Sequence, residues 1–134
     1  MPGYSGTPLP KKLGIKDGFR VSLIDVPPDV IAELKQSLDK CELAGNSKQA
    51  LDFAMVFTKS SAALTKEFKR ISRQLSPAGM IWISWPKKTS GVPTDLNENL
   101  IRAIGLAAGL VDVKVCAVTD VWSGLKFVRR LKDR

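Results

Sequence analysis

Apolar positions in this chain fall into short blocks divided by polar stretches rich in proline and glycine, and the blocks alternate between two spacings. After Gly18, FRVSLIDV sets Val21, Leu23 and Ile24 in a run of the length a buried strand needs. Pro27, Pro28 and Asp29 then open a helix to about Leu38, since a proline at a helix start gives up only a donor that would have had no partner. Val30, Leu34 and Leu38 recur every four residues on its inner face, with Glu33, Lys35 and Lys40 left for water. CELAG, residues 41–45, suffices only for a short second strand, whereas LDFAMVFT, residues 51–58, is apolar on both faces, as a strand covered on both sides must be. From about Ser61 to Leu75 the helical spacing returns: Leu64, Phe68, Ile71 and Leu75 share one face, and Lys66, Lys69, Arg70 and Arg73 the other.

The stretch from Leu75 to Leu100 reads as turn, strand, basic loop and helix. Pro77 and Gly79 mark the turn, Met80–Trp85 is a nearly all-apolar strand, and Pro86 ends it by removing a ladder donor. Lys87, Lys88, Thr89, Ser90 and Gly91 form a polar loop, and Asp95 with Glu98 three positions on resembles a capping box. The helix that follows, Leu96 to Ala108, turns Leu100, Ile101 and Ile104 inward; Gly105 allows close approach to the sheet and Gly109 ends it. Two strands close the chain, Val113–Val118 and Leu125–Leu131, and their short connection, Thr119 to Gly124, favours an antiparallel pair. Ahead of all this, residues 1–14 form an irregular arm ending in one helical turn closed by Gly14. Tyr4, Ser5, Thr7, Lys11 and Lys12 line a site if the arm folds back; the alternative is a loosely packed surface arm.

Strands alternating with helices predict one α/β domain over residues 1–134, a three-layer Rossmann-like sandwich with a mostly parallel sheet and an antiparallel C-terminal edge strand. Ligands of such sheets bind at the strand carboxyl ends. Here those ends collect Asp25 and Pro27, Thr58 and Lys59, Ser84 to Lys88, and Thr119 to Ser123. Lys87, Lys88, Thr89 and Ser90, set beside a helix start, favour an anion; the plainer reading is a solvated lysine pair on an ordinary loop. Trp122, followed by Ser123, offers a stacking surface or covers an edge of the core, while Trp82 and Trp85 read as sheet packing. Asp120 serves as an acid, a base or a ribose partner, or else binds its own turn; Asp25 contacts a ligand or caps the next helix.

Composition narrows the chemistry. The chain of 134 residues has no histidine, which excludes Ser-His-Asp and Cys-His nucleophile activation and every His-ligated zinc site. Cys41 and Cys116 are too few for a disulfide framework or a thiolate metal site, so reduced, partly buried thiols and no metal are expected. A net charge of +8 points to acidic partners, phosphates or nucleic acid, although solubility alone accounts for it. No apolar run is long enough to span a bilayer and the first residues lack a signal-peptide core, so a cytoplasmic protein without a membrane partner is expected.

Two resemblances add to this reading. LGIKDGFRVSLID, LDFAMVF, LSPAGMIWISWP and the terminal strand pair, in that order, resemble the framework of class I methyltransferases, which implies a Rossmann-like fold and S-adenosylmethionine as cofactor. Where that family carries a glycine-rich turn after its first strand, this chain has Asp25, Val26, Pro27 and Pro28, and the connection between CELAG and LDFAMVF is too short for the family's third strand and ribose-binding acid. Separately, GYSGTPL, KKLGI, WPKKTSG, TDL, GLVDVKVCAV and WSGLKFV resemble, over nearly the whole chain, a bacterial domain family of unknown function, which implies a bacterial origin and a single compact domain and leaves the activity open. Three classes of function follow: a module binding an anionic small molecule or nucleotide at the strand ends, a methyltransferase with an altered cofactor pocket, and a nucleic-acid or partner-protein module working through the basic helix face and C-terminus.

Overall fold

Six strands pair edge to edge in one sheet, and the computed structural model describes residues 7–44 and 49–134. The elements are α1 (Leu9–Leu13), β1 (Arg20–Ile24), α2 (Pro28–Leu38), β2 (Glu42–Leu43), β3 (Leu51–Phe57), α3 (Ser61–Ser72), β4 (Leu75–Pro86), α4 (Glu98–Ala107), β5 (Leu110–Ala117) and β6 (Trp122–Arg129). Their order across the sheet is β2-β1-β3-β4-β6-β5. The first four strands run parallel, and β6 is antiparallel to both β4 and β5. The Rossmann-like class is therefore as expected, with the antiparallel pairing confined to one side of the sheet; β6 lies one place in from the rim, and β5 is the rim strand.

Alternation along the central strands sends side chains to two cores. Phe53, Met55 and Phe57 of β3, with Met80 and Trp82 of β4, meet Leu9 and Leu13 of α1 and Val30, Leu34 and Leu38 of α2. Ala54 and Val56, with Ile81, Ile83 and Trp85, meet Leu64, Phe68 and Ile71 of α3 and Ile101 of α4. Trp82 and Trp85 are thus packing residues, as their place in an apolar run suggests. On the second face Gly105 brings α4 onto the ring of Phe127, which stands edge-on to Phe68 with centroids 5.0 Å apart.

Several expected boundaries move. α3 stops at Ser72, and Leu75 opens β4 instead of closing the helix. Pro77 and Gly79 lie inside β4 rather than in a turn before it: Leu51 pairs with Leu75 and Phe53 with Met80, so the excess residues form a bulge that needs no donor from Pro77. β5 begins at Leu110 and is bulged between Asp112 and Lys114, which breaks its alternation and disguises its start. Trp122 and Ser123 belong to β6, paired with Pro86 and Trp85, and are not turn residues.

α1 is no loose arm. Leu13 is fully buried, its carbonyl accepts from Trp82 Nε1 at 2.8 Å, and Gly14 ends the helix in a left-handed conformation. Lys12 Nζ donates to Ala117 O at 3.0 Å, and Lys114 Nζ donates to Lys12 O at 3.0 Å, tying the segment across β5. Tyr4 and Ser5 lie outside the described residues. Among the described residues no helix is long and apolar enough to cross a membrane.

Candidate functional site

In the order β2-β1-β3 the chain leaves β1 in one direction and later returns on its other side, which puts the topological switch between β1 and β3. All the residues expected at the site stand at the same, carboxyl end of the sheet, but not as one cluster. Lys87 N–H donates to Val121 O at 2.7 Å, so the Lys87–Ser90 loop and the Asp120–Ser123 segment are neighbours. Asp25 follows β1, two strand spacings away from β4, which is roughly 10 Å.

The roles of these residues separate further in detail. Ser90 Oγ donates to Lys87 O at 2.7 Å and accepts from Val92 N–H at 3.2 Å, so it builds the single 3₁₀ turn of its own loop. Thr89 and Lys88 are exposed and Lys87 is half-buried. Thr119 Oγ1 accepts from both Val121 and Trp122 N–H at 3.1 Å, doing the turn-binding work assigned to Asp120 and leaving that carboxylate exposed. Trp122 is half-buried and meets Phe57 edge-on, centroids 4.9 Å apart, so one side of its indole covers the core. Ser123 is half-buried in β6. Asp25 adopts φ 54°, the left-handed region that aspartate tolerates better than most residues, and it is exposed. It does not cap α2, whose cap position is Pro27 without a side-chain bond.

Three helices start at this end, and in each some of the leading N–H groups bond within the chain. In α2, Pro27 and Pro28 supply no N–H, and the N–H groups of Val30 and Ile31 both go to Pro27 O at 3.1 and 3.0 Å. In α3, Ser60 Oγ accepts from Ala63 N–H, and Asp95 accepts from Ser61 N–H and Ser61 Oγ, each at 2.8 Å. Those two bonds hold the Asp95 carboxyl below the usual carboxylate range. The capping box expected at Asp95 and Glu98 is therefore not made: α4 is capped by Asn97, which accepts from Leu100 N–H at 2.8 Å, while Glu98 pairs with Arg102 at 2.7 Å. The helix start beside the lysine pair thus has one of its N–H groups taken by its own cap, and the side chains of this rim supply the charge an anion would meet.

The side chains suited to that are amines. Among the described residues no carboxylate pairs with Lys59, Lys87 or Lys88. Lys59, which the sequence grouped with Lys87 and Lys88 among the strand ends, follows β3, the strand between β1 and β4. Ser84 Oγ lies close behind this rim, fully buried and with no hydrogen-bond partner among the described residues. Neither thiol is poised as a nucleophile: burial pushes both Cys41 and Cys116 up from the usual thiol value. An open groove of about 490 Å³ between α1 and α2 is lined by Lys11 of the N-terminal segment with Lys16, Glu33 and Gln36, and includes none of the residues expected at the strand ends.

The strand order and the two helical layers define the class: a Rossmann-like α/β fold of the methyltransferase kind. The chain is similar to a protein of Sulfolobus solfataricus described as a putative type 11 methyltransferase, at 17% identity over 91% of this chain and 89% of that one, with a TM-score of 0.58. Magnesium protoporphyrin IX methyltransferase of Synechocystis with bound SAH matches at 11% identity over 90% of this chain and 78% of that one, TM-score 0.57. A TehB-like SAM-dependent methyltransferase of Corynebacterium glutamicum matches at 10% identity over 90% and 85%, TM-score 0.55. Such identities establish the fold and nothing finer. No family model matches the chain, and no curated protein does.

The residues present do not fit S-adenosylmethionine in that family's manner. The turn after β1 has prolines where backbone donors and close approach are needed. β2 is only two residues long, and its Glu42 is engaged by Arg20 at 2.8 Å. Among the described residues no strand intervenes between β2 and β3.

Proposed function

We propose that this protein is a methyltransferase-fold module that binds an anionic small molecule or nucleotide at the carboxyl end of its sheet, through Lys87 and Lys88 with Lys59 alongside. One observation carries the reading: the amines of Lys59, Lys87 and Lys88 at that end have no carboxylate partner among the described residues. Trp122, held edge-on to Phe57, presents the aromatic surface a base or ring would meet. Thr89 adds an exposed hydroxyl, and Asp25, Asp120 and Ser123 flank the rim.

A second reading, S-adenosylmethionine-dependent methyl transfer with a degenerate cofactor turn, draws support from the solved structures of like fold, among them one with bound SAH and the SAM-bound fibrillarin of Aeropyrum pernix. Thermal-shift titrations separate the two. A ligand that binds only the folded state stabilises it by about 2.7 kcal/mol at a hundredfold excess over its dissociation constant. The expected result is a rise in melting temperature with nucleotides or inorganic phosphate that disappears in the Lys87→Ala/Lys88→Ala double variant and shrinks with added salt. A rise with S-adenosylmethionine alone, retained in that variant, would replace the first reading by the second. No rise with either class at millimolar ligand would remove both.

A further inference from the structure

At the opposite end of the sheet the fold joins two basic segments that are far apart in the chain. Arg129, at the end of β6, donates through Nη2 to Ser72 O and to Leu75 O, both at 2.7 Å, and so closes the C-terminal end of α3 across a separation of 57 residues. Arg134 Nε donates back to Arg129 O at 3.0 Å, folding residues 130–134 against the same corner. Lys66, Lys69, Arg70 and Arg73 on the outer face of α3 are exposed, as are Lys132 and Arg134, with Arg130 half-buried. Against these cations the two segments hold only Glu67, which pairs with Arg70 at 2.7 Å, and Asp133.

We propose that this surface binds the phosphate backbone of a nucleic-acid duplex without reading its sequence. Lys66, Lys69 and Arg73 form a stripe about 10 Å long by helical rise, which the folded tail extends past the helix end. A duplex presents a phosphate charge about every 1.7 Å of its axis, so such a stripe faces several at once. Single-strand binders add aromatic rings on which bases stack, and the only ring on these segments, Phe68, is buried; that favours a duplex. The surface lies across the length of the sheet from Lys87 and Lys88, roughly 20 Å by strand rise, so the two ends of the molecule can be tested independently.

The test is fluorescence anisotropy with a labelled duplex of about twenty base pairs, in DNA and RNA arms, from 50 to 200 mM salt. With about four phosphates engaged, affinity should fall roughly a hundredfold over that range. Two triple variants, Lys66→Gln/Lys69→Gln/Arg73→Gln and Arg130→Gln/Lys132→Gln/Arg134→Gln, should each weaken binding tenfold or more. Each should also flatten the salt dependence by about 0.9 logarithmic units for every phosphate no longer neutralised. Arg129 is left in place because it closes α3. Lys35→Gln/Lys40→Gln, exposed on the opposite face of the sheet, should leave duplex affinity and its salt slope unchanged. If a triple variant unfolds, Lys69→Gln and Lys132→Gln alone carry the same expectation with smaller losses. The proposal is overturned if the natural chain binds neither duplex at 50 mM salt, if affinity ignores salt, if loss follows Lys35 and Lys40 instead, or if anionic phosphatidylglycerol vesicles bind where duplexes do not. The stronger of the two nucleic-acid arms identifies the partner.

Discussion

The hydroxyl of Ser84 sits on β4 opposite Gly124, fully buried and without a hydrogen-bond partner among the described residues. An unsatisfied buried polar group costs about 1–3 kcal/mol. Ser84→Ala should therefore raise the melting temperature by several degrees in a calorimetric scan, and a clear fall would mean that the hydroxyl is bonded after all. Gly105 is the opposite case. Alanine at a helical site gains about 1 kcal/mol over glycine, but a Cβ here would land on the Phe127 ring, which is itself locked against Phe68. Overpacking of that kind costs about 1–3 kcal/mol, so Gly105→Ala should lower the melting temperature by a few degrees; an unchanged or higher value would mean that Phe127 moves freely. Gly105 was legible because a glycine within an apolar helical face weakens the helix and is best accounted for by a close neighbour. Nothing near Ser84 in the sequence marks its hydroxyl as unpartnered, because that depends on what the neighbouring strands place around it.

At the level of elements, Asp95 links two that the chain keeps apart. Its carboxylate closes the start of α3 from the loop before α4, and Thr94 Oγ1 reaches Lys59 O at 2.7 Å in the same tether. Since the bonds from Ser61 hold the Asp95 carboxyl below its ordinary value, the contribution is complete above the unfolded carboxylate range and is lost as pH falls through the lower folded value. Asp95→Ala should melt a few degrees below the natural chain at pH 7, and the gap should close as the pH drops below about 4. A gap that persists at pH 2 would rule out the carboxylate as its source. Sequence alone pointed Asp95 at the nearer helix, because a capping box is recognised by local spacing, whereas its real partner is 34 residues away. The early start of β4 was hidden for a similar reason. Pro77 and Gly79 look like a turn, and only pairing with β3 reveals that they fill a bulge.

For the whole molecule, the alternation of strand and helix was plain in the apolar spacing, and with it the three layers and the end of the sheet where a site belongs. The grouping of residues at that end was not. Linear order cannot tell that Lys87 neighbours Val121 while Asp25 stands two strands off, nor that Arg129 closes α3, since each depends on which strands adjoin. The position of β6 also bears on how the protein is made. It follows β5 in the chain, yet it fills the gap between β4 and β5, and among the described residues β5 pairs with no other strand. A nascent chain that has emerged only as far as Ala117 can assemble β1 to β4, but β5 must wait unpaired. The sheet closes by insertion of β6 between two strands made before it, so a chain interrupted before Trp122 would expose the edge of β4 to other chains.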